Sequence, residues 1–306
     1  MNRSTINTIL GSAGLRPQHK FGQNFMIDQN ILAAIVEAGD ILPSDIVLEI
    51  GPGVGNLTQL LAQRAAHVLA VDIDHKLLPA AMAYHELPNV TWLLGDALAG
   101  KHALNPEMIA ALHTLRERYP IAACKLVSNL PYNAASPLIA ELLVWTQQQR
   151  VASRDATGAA PPPIFSRLTF TVQYEVGVRM SAPPGSRDYG PLGILIQLLA
   201  DVEIERKIPP KAFWPPPKIN SALVIVEPSI EKMDRVSDPI ALQRLLSSLF
   251  AHRRQTIHNA LRHTLQDAAP ADLLERLATL GINPKDRPEM LTPDQFRQLA
   301  DAARSW

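Results

Sequence analysis

The chain is short of cysteine, of net charge and of long apolar runs, and each shortage removes a class of protein. A single cysteine, Cys124, in 306 residues excludes an intrachain disulfide and fits a reducing compartment. As a lone thiol just ahead of an apolar strand it is read as core filler. Residues 1–10 hold no apolar stretch of signal-peptide length, and the best later run, 192–200, is too short to span a bilayer and carries Gln197. The expectation is a cytoplasmic protein without membrane contact. Lys plus Arg and Asp plus Glu both number 29, so the formal net charge is zero. That counts against a uniformly basic nucleic-acid binder, although a local stripe of cations can act on a neutral protein.

What is present is a globular composition, 47% hydrophobic and 19% charged, long enough for one full α/β domain and a smaller one. Prolines cluster at 161–163, 183–184, 209–210 and 215–217, which marks loops and domain edges. Apolar spacing predicts a helix over 29–39, with Asp28 as N-cap and Gly39 as stop. Strands are expected at 45–50, 67–72, 90–94, 125–128, 168–174 and 221–226, with a helix over 57–65. Strands alternating with helices imply βαβ units and a parallel sheet, with ligands at the carboxyl ends of the strands. Residues 147–163 show no sustained period and read as a flexible surface insertion. Beyond about 239 the pattern is helical throughout, over 239–251, 253–266, 270–280 and 293–304. The expected division is therefore a catalytic, cofactor-binding domain over 1–230 and a small all-α domain over 231–306.

Two short motifs carry the chemistry. Gly51-Pro52-Gly53-Val54-Gly55 stands where a strand ends and a helix begins, and glycine lets that backbone turn tightly and approach a ligand. A dinucleotide site would need G-x-G-x-x-G, but Asn56 occupies the last position. The turn suits a nucleoside cofactor without a pyrophosphate, S-adenosyl-L-methionine. Asp72 ends the next strand, 21 residues after Gly51, where a carboxylate can accept the ribose hydroxyls. Asp96, after the third strand, can accept from the adenine amino group of the cofactor.

The second motif, Asn129-Leu130-Pro131-Tyr132, suits the amino group of a flat base. An adenine N6 is a poor nucleophile because its lone pair is delocalised into the ring. It needs two acceptors that favour the attacking geometry: the Asn129 side-chain carbonyl and the Leu130 backbone carbonyl. Pro131 makes Leu130 extended and removes a competing N–H. Tyr132 can stack on the base, worth about 1–3 kcal/mol. Phe213, in Phe213-Trp214-Pro215-Pro216-Pro217-Lys218, can close the other face of the base pocket or serve as core in a rigid proline connector. Catalysis is then positional and electrostatic, with no metal and no catalytic His or Lys. Arg253, Arg254, His258 and Arg262 recur at helical spacing and form a candidate phosphate-binding face. Arg16, His19 and Lys20 make a second basic group.

In this order the motifs resemble the ribosomal RNA adenine N6-dimethyltransferase family. The resemblance extends over about residues 15–265 and includes Phe21-Gly-Gln-Asn-Phe25, Gly95-Asp-Ala-Leu98, Gln173-x-Glu-Val176, Tyr189-Gly-x-Leu192, Pro209-Pro-x-x-Phe213 and Pro215-x-Pro-Lys-x-x-Ser221. It is nearest to the branch that dimethylates two adjacent adenines in a small-subunit rRNA hairpin. The resemblance implies a Rossmann-like S-adenosylmethionine-dependent methyltransferase domain with a small helical C-terminal domain, acting as a monomer on the immature small ribosomal subunit. It also implies that Asn24, Met26, Gly51, Gly53, Asp72, Asp96 and Asn129 contact the cofactor, and Asn129, Leu130, Tyr132 and Phe213 the target adenine. The chain departs from the usual pattern with Asp72 for Glu, Met26 for Leu, Ser128 for Gly and Gly193 for Ser. Competing readings are a large-subunit rRNA methyltransferase conferring antibiotic resistance and a ribosome-assembly factor with vestigial catalysis. The intact Asn129, Pro131 and Tyr132 argue against the latter.

Overall fold

The computed structural model of the chain describes residues 3–12, 14–15, 24–100, 103–154, 164–266 and 269–304. It divides into two units, one of residues 1–177 with 203–227 and one of 178–202 with 228–306.

The first unit opens with α1 (Arg3–Ser12), β1 (Phe25–Met26) and α2 (Gln29–Ala38). It continues through β2 (Ile46–Ile50), α3 (Thr58–Ala62), β3 (His67–Asp72), α4 (Leu77–His85) and β4 (Val90–Leu94). A short hairpin, β5 (Leu98–Gly100) and β6 (Ala103–Leu104), leads to α5 (Pro106–Arg118), β7 (Cys124–Asn129), α6 (Tyr132–Arg154), β8 (Phe165–Gln173) and α7 (Tyr174–Met180). After α8 (Pro191–Leu199), the strands β9 (Ala200–Ile208), β10 (Phe213–Trp214) and β11 (Ser221–Pro228) follow.

Seven strands form one sheet in the order β4-β3-β2-β7-β8-β11-β9. From β4 to β8 every pairing is parallel. The all-parallel expectation is corrected at β11, which runs antiparallel to β8 with Ser221 opposite Gln173. Strand β2 is buried along its whole length, and β7 is buried up to Asn129, as parallel strands covered on both faces require. The chain leaves β2 towards β3 and β4, then returns to the other side of β2 as β7. The carboxyl ends of β2 and β7 therefore lie side by side where the strand order reverses, the position at which such sheets bind ligands.

Local chemistry explains the element ends. The Asp28 carboxylate accepts from Asn30 and Ile31 N–H groups at 3.0 and 3.3 Å, capping α2 as its sequence suggests. Behind the sheet, the Lys125 ammonium is buried against the Asp45 carboxylate at 3.0 Å and donates to the Asp40 carbonyl. Cys124 is 1% exposed, and burial pushes its thiol up to about 12, so it is an inert part of the core.

The expected insertion at 147–163 is corrected over its first half. Residues 147–154 are the last turns of the 23-residue helix α6, and Thr146 and Gln147 are buried. Polar side chains hid the helical period there; residues 155–163 lie outside the described ones.

The second unit holds α8, then α9 (Ile230–Asp234), α10 (Pro239–Ala251), α11 (Ile257–Leu265), α12 (Leu273–Thr279) and α13 (Pro293–Ala303). Tyr189, Phe250 and Phe296 form an aromatic chain in its core, with ring centroids 6.5 and 5.9 Å apart. The Tyr189 hydroxyl donates to the Leu291 carbonyl at 2.9 Å. The apolar run at 192–200 is α8, with six buried residues, and no described helix is long and apolar enough to cross a membrane. The helix expected over 253–266 starts later, at Ile257, because Thr256 caps it by accepting from the Asn259 N–H. Arg253 and Arg254 therefore lie in the turn ahead of α11, not on a helix face with His258 and Arg262.

Candidate active site

At the carboxyl ends of β2, β3 and β7 lies a cavity of about 250 Å³, lined from one side by 49–54, Asn56 and Leu57, from another by Asp72, Ile73 and 95–97, and from a third by 129–134. Three backbone residues of the glycine turn have positive φ: Gly51 at 72°, Gly53 at 58° and Gly55 at 81°. The space a Cβ would need at Gly51 is taken by Pro131 Cγ, 3.1 Å away, and at Gly53 by Phe25 Cε1, 3.0 Å away. The turn is thus pressed directly against the elbow and against β1.

The Asp72 carboxylate accepts from the Gly53 N–H at 3.2 Å and the Asp74 N–H at 2.9 Å. It is anchored to the turn and still has acceptor capacity, since each carboxylate oxygen takes more than one hydrogen bond. Burial raises its pKa, and these backbone N–H groups oppose the rise. Asp96 accepts from the Leu98 N–H at 3.0 Å, while its carbonyl is held by Asn105 Nδ2 at 2.6 Å.

The elbow is fixed with equal care. Asn129 Nδ2 donates to the Asn24 carbonyl at 3.1 Å, and its Oδ1 accepts from the Thr171 hydroxyl. Those two bonds settle which end of the amide is oxygen. The Tyr132 hydroxyl pairs with Ser221 Oγ at 2.7 Å, and burial raises its pKa. The Ser128 hydroxyl donates to the Ile50 carbonyl, tying the strand before the elbow to the strand before the glycine turn. Hence Ser128 joins the two motifs.

Sequence reasoning brought together Asn24, Met26, Gly51, Gly53, Asp72, Asp96, Asn129, Leu130, Pro131 and Tyr132, and all of them line the one cavity. Phe213 does not. Its ring is 1% exposed and packs in the core with Met26 and Leu32, in the strand pair that sets Met26 opposite Phe213. Arg16 and Lys20 lie outside the described residues. Arg253, Arg254 and Arg262 are exposed residues of the second unit.

Three residues were missed. Asn56 holds the Met26 carbonyl at 2.7 Å, and Thr171 orients Asn129. Glu49 is 1% exposed, lines the cavity, and has an Oε2 atom with no hydrogen-bond partner. Burial pushes its carboxyl up to about 8, with the Asp72 charge adding to the rise and the Thr58 hydroxyl opposing it. The signal was a lone acid in an otherwise apolar strand. By contrast, Asn56 and Thr171 carried no local signal.

Three carboxyl groups, Glu49, Asp72 and Asp96, line the cavity, and among the described residues no Lys, Arg or His does. Such a lining repels a pyrophosphate and fits a ligand bearing a sulfonium and an ammonium group. Fold and site together place the chain among the Rossmann-like methyltransferases, whose methyl donor is S-adenosylmethionine. A family model described as ribosomal RNA adenine dimethylase matches residues 14–304, and the chain belongs to that family.

Named relatives agree. The chain is 36% identical over 290 residues to the ribosomal RNA small subunit methyltransferase A of Geobacter metallireducens, covering 94% of this chain and 96% of the relative. It is 38% identical over 286 residues to the protein of the same name from Rubrobacter xylanophilus, covering 93% and 94%. Among solved structures, a dimethyladenosine transferase from Plasmodium falciparum superposes with a TM-score of 0.67 at 25% identity, covering 92% of this chain and 98% of that one. A 23S rRNA methyltransferase, ErmE, shares the fold at a TM-score of 0.57 and 21% identity, covering 92% and 100%.

Proposed function

We propose that the protein dimethylates two adjacent adenines at N6 in a small-subunit rRNA hairpin, using S-adenosylmethionine, during assembly of the small ribosomal subunit. The observation that carries this reading is the contact of Pro131 with Gly51, which joins a base-holding elbow to a cofactor turn within one cavity. The small-subunit name of the bacterial relatives favours that target over the large subunit.

When bound, S-adenosylmethionine supplies an electrophilic methyl group on a positively charged sulfur. Asp72 accepts from its ribose, Asp96 from its adenine, and the glycine turn lets the backbone approach. On the target side, Asn129 Oδ1 and the Leu130 carbonyl accept the N–H groups of the adenine amine, and Tyr132 stacks on the ring. Holding both N–H groups draws the nitrogen lone pair out of conjugation. Asn129 Oδ1 and the Leu130 carbonyl would thereby aim the lone pair at the methyl group the cofactor supplies, whose sulfur would be the leaving group and keep the C–S electron pair. The surplus proton then leaves the nitrogen to water. One N–H remains for the second transfer, and no general base is required.

The second unit is assigned to RNA, with Arg253, Arg254 and Arg262 meeting phosphates together with Arg16 and Lys20. The protein is assigned to the cytoplasm, as a monomer. The test is incubation with labelled S-adenosylmethionine and either undermethylated small-subunit particles or large-subunit rRNA, followed by digestion to nucleosides. Dimethyladenosine from the small-subunit substrate alone is expected. Label confined to the large subunit would move the reading to the resistance branch.

A further inference from the structure

The chain is neutral overall, yet residues 206–221 hold four cations (Arg206, Lys207, Lys211 and Lys218) and no anion. Only Arg206 is neutralised, by Glu205 at 3.2 Å. Lys207, Lys211 and Lys218 are exposed and make no ion pair among the described residues. Lys207 Nζ sits 4.7 Å above the Tyr174 ring, which holds a long side chain in place without consuming its charge.

The middle and the far end of this segment are fastened to residues of the site. At 212–214 it grips the strand entering the site: the Ala212 carbonyl accepts from the Ile27 N–H at 2.9 Å, and Trp214 and Phe213 pair with Phe25 and Met26. At 220–221 it reaches the elbow: Ser221 Oγ meets the Tyr132 hydroxyl at 2.7 Å, and the Asn220 carbonyl accepts from the Tyr174 N–H at 3.0 Å. The three lysines are therefore tethered close to residues of the site: Lys211 adjoins Ala212, Lys218 precedes Asn220 by two residues, and Lys207 packs on Tyr174, whose N–H bonds the Asn220 carbonyl.

We infer that Lys207, Lys211 and Lys218 form a phosphate-binding rim for the RNA backbone that flanks the adenine in the pocket. This rests on the rRNA substrate proposed above. The charge separation has a physical use: acidic walls admit the cationic cofactor and repel phosphates, while the basic rim stops the polyanion at the mouth and leaves only the unstacked base to enter.

The test uses the full-length protein and a small-subunit rRNA hairpin lacking dimethyladenosine, with affinity measured across about 50–200 mM salt. The triple variant Lys207→Gln, Lys211→Gln, Lys218→Gln is expected to bind the hairpin roughly tenfold more weakly at low salt. Its plot of log affinity against log salt should be shallower by about 2, near 0.7 for each lost phosphate contact. S-Adenosylmethionine affinity should not change, and the triple Lys→Arg variant should keep the wild-type slope. If the wild type methylates the hairpin but the glutamine variant keeps its affinity and slope, the rim is wrong and the function stands. An equal loss in the arginine variant would also overturn it, because packing and not charge would be responsible. A wild type that neither binds nor methylates the hairpin or undermethylated small-subunit particles would remove the proposed function first, and the rim with it.

Discussion

The Thr171 hydroxyl donates to Asn129 Oδ1 across neighbouring parallel strands whose register sets the two residues opposite each other. Thr171 is fully buried, so water cannot replace that bond. It leaves the amide oxygen one acceptor position and fixes the plane in which the target amine must approach. Thr171 is thus a positioning residue acting through Asn129.

Thr171→Val keeps the shape and removes the hydroxyl. Losing one buried hydrogen bond of about 1–1.5 kcal/mol should lower kcat by roughly tenfold. Cofactor affinity should hold, and Thr171→Ser should restore the rate. Steady-state kinetics together with calorimetric cofactor binding read both; an unchanged kcat would show that Asn129 needs no such support.

Glu49 predicts a pH dependence. Its pKa is about 8 in the folded protein against an ordinary 4.5, so the folded state holds the proton more tightly than the unfolded chain. Its contribution to stability is present below about 4.5, falls as pH rises towards 8, and is gone above that. Glu49→Gln should flatten the fall in urea midpoint between pH 6 and 8. A cationic cofactor beside this carboxyl lowers its pKa, so binding at pH 7 should release a proton. Calorimetry in two buffers of different ionisation enthalpy detects that release, and Glu49→Gln should abolish it.

Gly55 is held to glycine by the protein itself. A Cβ there would lie 2.5 Å from His85 Nε2, the atom that bonds the Val54 carbonyl at 2.8 Å. Gly55→Ala should cost about 1–2 kcal/mol from its left-handed φ alone and more from the collision. Combining it with His85→Ala should recover the second part, a coupling of about 1 kcal/mol in a double-mutant cycle of thermal unfolding. Strict additivity would mean that the ring moves aside freely.

Gly193, in α8, has no room for a side chain. A Cβ at this position would stand 2.3 Å from the Arg179 backbone carbonyl, which has no side-chain freedom to yield. Gly193→Ser should therefore destabilise the second unit by about 1–3 kcal/mol, seen as a lower Tm. No loss of Tm would show that α8 can shift outward.

The parts legible in advance were those whose physics is local. Alternating apolar runs gave away the strands, Asp28 announced its helix, and the glycine turn and the Asn129–Tyr132 elbow had their own chemistry at fixed spacing. The end of α6 was missed because Gln147 to Arg150 are polar, although Gln147 is buried by neighbours distant in the chain. The antiparallel β11 was missed because strand direction depends on the return path and not on composition. Phe213 reads equally well as a pocket wall or as core from its neighbours in sequence; its partners Met26 and Leu32 decide the matter.

The sequence by itself determined the kind of chemistry available: a turn too short for pyrophosphate, carboxylates for a ribose and an adenine, and an amide followed by a stiff aromatic elbow. Those properties belong to residue types and short spacings, and survive any arrangement of the rest. Only the tertiary structure decided that Pro131 fills the space over Gly51, that Thr171 orients Asn129, and that Glu49 loses its water. Each of these depends on strands about forty to a hundred residues apart coming into register, and desolvation and contact act through space, whatever the order of residues along the chain.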